Sequence, residues 1–406
     1  MKAIVKIAIL GCICTSALQA QQSGMPGTQA EFWNQQRKGA NMFNAHPVTP
    51  TDFEAAAEYG IAFIRLSPSK YTNGRPKKEK GNFLLGPKEN PVTVPVAADL
   101  KLLIAQLDAA EKAHEKVIVT LLSLPYSRWS QHNKGVEERA MWNDFKKQDS
   151  AIVFLQNLAF AIKDHPAVVG LNLRNEPSPE RTGIQLKDWY TGDYAQWERQ
   201  IRDTPQDLNQ FYAKAVAAIR KVAPQLLLVL DSGFHAQPHA FKILKSIPND
   251  PAILYSFHLY SPWPFPYSDA GKYRYPGLFE TGEEKGAAAI YWDKNTVETF
   301  LKPVRDWQKQ YGIPDNRILV GEFGVNRHGA GAEEYLQDLI TVFNAYHWHW
   351  AFYSFREDEW DIMDYELGAG RTPASYWENQ KSGKPQDYSK TVSNPLFDVI
   401  RADLKH

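Results

Sequence analysis

A strand-like apolar run followed by a helix-like run recurs eight times along this chain, and few folds accept that pattern. Arg37–Met42, Ile61–Leu66, Val117–Leu122, Val168–Leu173, Leu226–Leu230, Ile253–His258, Arg317–Gly321 and Trp350–Phe355 read as strands, short and rich in β-branched or aromatic residues. Between them, helices are expected over Thr49–Tyr59, Pro95–His114, Ile152–Lys163, Asp207–Val222, Pro238–Ile247, Thr296–Tyr311 and Glu333–Tyr346, with Pro395–Leu404 closing the chain. The strand runs are nearly continuous apolar stretches, the mark of strands buried on both faces in a parallel sheet. Eight such units imply an α/β chain folded as a (β/α)8 TIM barrel. A doubly wound open sheet is the structural alternative, but no Gly-rich phosphate loop follows the first strand.

The segments after strands two, three, four, six and eight are long: Ser67–Val94, Ser123–Asp149, Ser178–Thr204, Ser261–Asn295 and Arg356–Asn394. Each follows a strand's C-terminal end, so all should stand on one rim and wall a cleft. The chain has 406 residues and no net formal charge or basic run, which argues against a nucleic-acid partner.

Residues 1–20 read as a signal peptide, with Lys2 and Lys6 ahead of the apolar stretch Ile7–Leu18 and a small-residue cleavage site before Gln21. The stretch is too short to span a membrane, and a secreted or periplasmic protein is expected. Ile9-Leu10-Gly11-Cys12 makes lipid anchoring at Cys12 the lesser alternative. Both cysteines, Cys12 and Cys14, lie in this leader, so the mature chain at 21–406, read as one domain, has no thiol chemistry.

Two strands end in an acid. Val168–Leu173 continues through Arg174-Asn175-Glu176, and Pro177 ends the ladder because it lacks an N–H. Ile318-Leu319-Val320-Gly321 leads likewise into Glu322. A carboxylate at the C-terminal end of a buried strand is a costly place for a charge and is where barrel enzymes keep their chemistry. Cleavage of a glycosidic bond takes two carboxyl groups, one to protonate the leaving oxygen and one to attack carbon or activate water. Glu176 is read as the acid/base and Glu322 as the nucleophile; across the barrel mouth they can approach to about 5–5.5 Å, as a retaining mechanism requires.

Beyond these strand ends the sequence resembles family five of the glycoside hydrolases, the cellulase-like group of retaining (β/α)8 enzymes. Asn175-Glu176-Pro177 is similar to the family's acid/base motif, Gly321-Glu322-Phe323-Gly324 to its nucleophile motif, Arg65 to its strand-two arginine, and His258-Leu259-Tyr260 to its His-x-Tyr. The resemblance implies that Asn175 bonds the sugar 2-hydroxyl, that Arg65 and Tyr260 hold Glu322, and that His258 serves the sugar or the acid/base. It departs at strand three, where Ser123, Tyr126 or Arg128 stands in place of a histidine. It departs again at strand eight, where Tyr353, Phe355 or a returning Trp360 must supply the aromatic floor. Trp129, Trp142, Trp189, Trp197, Trp263 and Trp292 fall in the rim loops as candidate sugar platforms, Trp129 and Trp263 foremost.

The expected activity is hydrolysis within a β-1,4-linked glucan or related polysaccharide, without cofactor or metal, by a monomer. An exo-acting β-glycosidase, a mannan- or xyloglucan-type hydrolase, and a non-catalytic carbohydrate-binding barrel are the alternatives. The last predicts a lost acid, whereas both Glu176 and Glu322 are present. His235 and His239, with Asp231, make a poor metal set, since Pro238 interrupts a shared helical face.

Overall fold

The computed structural model describes residues 29–72, 81–186, 192–268, 271–280, 289–382, 384 and 394–405. The leader at 1–20 and Trp189 lie outside them.

Eight parallel strands close a barrel: β1 (Lys38–Met42), β2 (Ile64–Leu66), β3 (Val117–Thr120), β4 (Val168–Asn172), β5 (Leu228–Asp231), β6 (Ile253–Leu259), β7 (Ile318–Phe323) and β8 (His349–Phe352). They pair in chain order around the ring, β8 closing against β1. A separate antiparallel pair of strands, Gly277–Glu280 with Ala289–Trp292, sits in the segment after β6.

The two-residue period of a strand divides the barrel interior into an apolar floor and a polar mouth. Phe63, Ile118, Val229, Leu254, Leu319 and Ala351 form the floor with Trp33, whose indole donates to Val169 O at 2.9 Å. One pleat further on, the inward positions become Arg65 after Phe63, Asp231 after Val229, and Ser256 then His258 after Leu254, all buried. On β7 the alternation slips: Val320 pairs with Phe257, but the next pairing joins Glu322 to His258, leaving Gly321 extra. That irregularity re-aims Glu322 toward the mouth. It also needs glycine, since a Cβ on Gly321 would lie 2.7 Å from Ser256 Oγ and 3.0 Å from His258 Nε2.

Several boundaries differ from the sequence reading. β4 stops at Asn172, because Arg174 turns to donate to Leu122 O at 2.7 Å and Glu176 adopts a left-handed φ of 51°. β7 runs on through Glu322 to Phe323, and β8 ends at Phe352. The helix expected over Thr296–Tyr311 is two, Lys294–Phe300 and Lys302–Tyr311, since Pro303 removes an N–H near the break. The helix before β4 begins earlier than expected, at Phe145, where the Asp144 side chain accepts from Lys146 N. Pro238–Ile247 holds only a 3-10 turn, Pro238–Lys242.

Candidate active site

The barrel mouth opens into a cleft of about 1650 Å³, and Glu176 and Glu322 both line it. Oxygens of the two carboxyl groups and a nitrogen of His258 all lie within 4.8 Å of one another. The acids therefore share one hollow, although 146 positions of chain order separate them, from 176 to 322.

Glu322 is held from two sides. Arg65 Nη1 donates to its Oε1 at 3.0 Å, and Tyr260 Oη donates to its Oε2 at 2.9 Å. Arg65 itself is fully buried and fixed by four further acceptors: Asn41 Oδ1 at 2.7 Å, Gly321 O at 2.8 Å, Asn175 Oδ1 at 2.8 Å and Asn172 Oδ1 at 3.2 Å. Burial pushes the Glu322 carboxyl up, while His258 and the Arg65 guanidinium act to bring it down. Glu176 has fewer donors. His258 Nδ1 lies 2.8 Å from its Oε1, and His235 Nδ1 stands 3.9 Å from Oε2. Burial, then the charge of Asp231, pushes Glu176 up to about 8, against the opposing pull of Arg65 and Arg174. Arg65 and Tyr260 both donate to Glu322, which favours its charged form, whereas no Lys or Arg bonds the Glu176 carboxyl. Burial holds His258 below its ordinary value and Tyr260 well above its own.

The donors of Glu176, His258 and Glu322 are close enough to share a cation, but Arg65 already supplies the positive charge there. Among the described residues the other such group is Asp108, Glu111 and His165, on the outer surface and away from the mouth. His235 and His239 join neither; His239 packs 4.6 Å from Phe300.

Comparison with known proteins bears on this geometry. The sequence model described as Cellulase (glycosyl hydrolase family 5) matches residues 28–359. The chain belongs to glycosyl hydrolase family 5. It is a glycoside hydrolase. Solved structures similar to it include an endoglucanase at 18% identity, TM-score 0.60, covering 93% of this chain and 100% of that one. Cel5A of Thermotoga maritima in complex with cellobiose aligns at 14% identity, TM-score 0.60, over 92% and 99% of the two chains. The same protein in complex with mannotriose aligns at 14% identity, TM-score 0.57, over 87% and 99%. No curated protein sequence matches the chain.

In this family 5 hydrolase the cleft lining includes Trp129, Asn175, Tyr260 and Tyr353 among the residues singled out from sequence. Tyr353 forms an aromatic group with Tyr260 at 6.5 Å and with Trp360 at 5.8 Å, and Trp360 also lines the cleft. Phe355 does not belong to the site: it is 1% exposed and packs against Tyr59 at 6.0 Å, because the chain reverses its facing after Tyr353. Trp263 stands outside the cleft lining, 52% exposed, its ring 5.0 Å from Tyr267. Trp142, Trp197 and Trp292 are buried anchors of the rim segments rather than platforms. At the end of β3 the cleft wall is Leu122; Arg128 turns away to donate to Gly86 O at 2.8 Å, and Ser123 accepts from Trp129 N.

Sequence reasoning passed over Asn41, Asn172, Lys70, Glu357 and Tyr267, and weighed Asp231 only as a poor metal ligand. Asn172 carried a signal, being a lone amide inside the apolar run Leu171-Asn172-Leu173. Lys70 and Glu357 gave none: they meet as a buried pair on the cleft wall from segments 287 positions apart.

Proposed function

We propose that this hydrolase is a secreted, retaining enzyme that cuts within a β-1,4-linked glucan or a closely related β-glycan. The observation that carries the reading is the approach of the Glu176 and Glu322 carboxyl groups to within 4.8 Å at His258. That fits the roughly 5–5.5 Å of a retaining pair and is shorter than the roughly 6.5–9.5 Å an inverting pair needs for its water.

Glu322, kept ionised by Arg65 and Tyr260, attacks the anomeric carbon. The bond to the leaving oxygen breaks, and that oxygen takes the proton of Glu176. The glycosyl–Glu322 ester then yields to water, whose proton passes to Glu176 as the oxygen bonds to carbon. Asn175 places its Oδ1 on Arg65, which leaves its amide donors for a sugar hydroxyl. Tyr353 supplies the aromatic face beneath the sugar.

Action within a chain is supported by the size of the cleft, about 1650 Å³. Its lining takes in Trp129, Gln131, His46, Trp360 and Trp377 as well as both acids. The mannotriose-bound relative keeps β-mannan as a second substrate to test. Secretion rests on the leader-like residues 1–20, and no helix of the described residues is long and apolar enough to cross a membrane.

Aryl β-cellobioside and β-mannobioside hydrolysis, followed by proton NMR of the first-formed anomer, tests the reading. A β-anomer as first product and internal cuts in long oligosaccharides are expected. An α-anomer, or undiminished turnover in Glu322→Ala, removes the assignment.

A further inference from the structure

We propose that Asp231 is a positioning residue for the acid/base, acting through His258 to keep Glu176 loaded with its proton between turnovers. This rests on Glu176 being the acid/base.

Asp231 ends β5, has no exposed surface, and touches Glu176 by two routes. Its Oδ2 accepts from the Glu176 backbone N–H at 3.1 Å, which fixes a residue in the left-handed φ region that only glycine adopts freely. Its Oδ1 accepts from Asn172 Nδ2 at 3.3 Å, so the carboxylate cannot swing away without losing both. On its other side Oδ2 stands 3.6 Å from His258 Nε2. His258 thus faces three acids, with Nε2 toward Asp231, and Nδ1 at 2.8 Å from Glu176 Oε1 and 3.7 Å from Glu322 Oε1, an oxygen that already accepts from Arg65.

A neutral imidazole carries one N–H. The Asp231 charge, 3.6 Å away, draws it to Nε2, which is buried and makes no hydrogen bond among the described residues. Nδ1 then presents a lone pair to Glu176. A lone pair at that distance makes a hydrogen bond only with a protonated carboxyl, so the ring favours Glu176 as acid. After the proton leaves for the glycosidic oxygen, the Glu176 carboxylate faces the same lone pair. That repulsion favours recovery of a proton from the attacking water, the second task of an acid/base.

The other groups facing Glu176 are Arg65 from β2, Arg174 following β4, Glu137 from the segment after β3, His235 following β5, Tyr260 and Tyr267 following β6, and Glu322 on β7. Arg65 and Arg174 oppose the effect of Asp231, while Glu137 reinforces it.

Asp231→Asn keeps an oxygen for the Glu176 N–H and removes the charge. Its basic limb of kcat/KM is expected to move to lower pH by about one unit. Hydrolysis of cellotetraose, whose leaving group needs the proton, is expected to fall about 100-fold. For a dinitrophenyl cellobioside, whose leaving group does not, kcat/KM stays within about threefold, because that ratio excludes the later attack of water. An equal loss on both substrates with an unmoved limb overturns the proposal. Because a variant can misfold, 15N-histidine NMR of the unaltered enzyme gives an independent reading: His258 protonated at Nε2 is expected, and protonation at Nδ1 overturns it. Glu176→Ala separates the two claims. If that variant shows the leaving-group dependence and Asp231→Asn does not, only this inference fails; if Glu176→Ala lacks it, the acid/base assignment fails with it.

Discussion

Arg65 Nη1 lies 3.0 Å from Glu322 Oε1, with the arginine fully buried and the carboxylate 5% exposed. A guanidinium there does two things: it offsets a buried negative charge and it holds the attacking oxygen in one place through a ring of side-chain and backbone acceptors. Arg65→Met removes both. Turnover on an aryl β-cellobioside is expected to fall by a factor of about 100–1000, the scale of a lost preorganised contact. The protein is also expected to lose about 3–5 kcal/mol in urea unfolding, because Glu322 is left buried without its counter-charge. Activity within a few-fold of the parent would show that Tyr260 suffices to hold the nucleophile.

In the roles proposed for them, the two acids are expected to set opposite limbs of the pH profile. Glu322 must be ionised to attack, so activity falls as pH drops through its pKa, which burial raises above the ordinary carboxylate range. Glu176 must be protonated to assist departure, so activity falls as pH rises through a value of about 8, where burial and Asp231 place it. A bell is expected, with its upper shoulder near neutral to mildly alkaline pH. The same upper limb is expected to vanish for a dinitrophenyl leaving group; its persistence there would mean another group titrates.

Tyr353 lines the cleft beside Trp360 and Glu357, and Glu357 pairs with Lys70. Tyr353→Phe keeps the ring and removes only a hydroxyl, so a rise in KM of no more than about threefold is expected. Tyr353→Ala removes the ring, and about tenfold weaker binding of cellotetraose is expected, measured by calorimetry on a Glu322→Ala background. Equal effects from the two variants would mean that the ring is not a platform.

The barrel was legible because its signal is periodic and local. Each of the eight strands starts within about three residues of its apolar run, as in β3 at Val117 and β4 at Val168. Where chain direction depends on tertiary contacts, the reading slipped. Nothing in Leu173–Glu176 announces that Arg174 will reach back to Leu122 O and end β4 early. The two acids were visible as strand-terminal carboxylates, whereas Asp231 was visible only as a poor metal ligand beside His235 and His239, and Phe355 as a candidate floor beneath the sugar. Which way each one faces follows from pairing across the ring, as does the extra residue at Gly321 that aims Glu322 inward. The Lys70–Glu357 pair joins two long rim segments, and no spacing rule links positions so distant.

One buried acid stands apart from all of this. Glu115, between the helix Ala97–Lys112 and β3, is 2% exposed, and its Oε2 has no hydrogen-bond partner among the described residues. Burial pushes it up to about 8, only partly opposed by the Lys116 backbone N–H. Since the folded value lies above the unfolded one, the folded state binds the extra proton between the two. Its contribution is therefore fully present below the ordinary carboxylate range and is lost as pH rises through about 8. Over the whole interval the loss has a ceiling of ~5 kcal/mol. Glu115→Gln keeps an acceptor for the Lys116 N–H and never charges. Melting followed by circular dichroism is expected to show the variant more stable than the parent at pH 8.5 and equal to it at pH 4. A gap that persists unchanged at pH 4 would assign the effect to packing rather than to the proton.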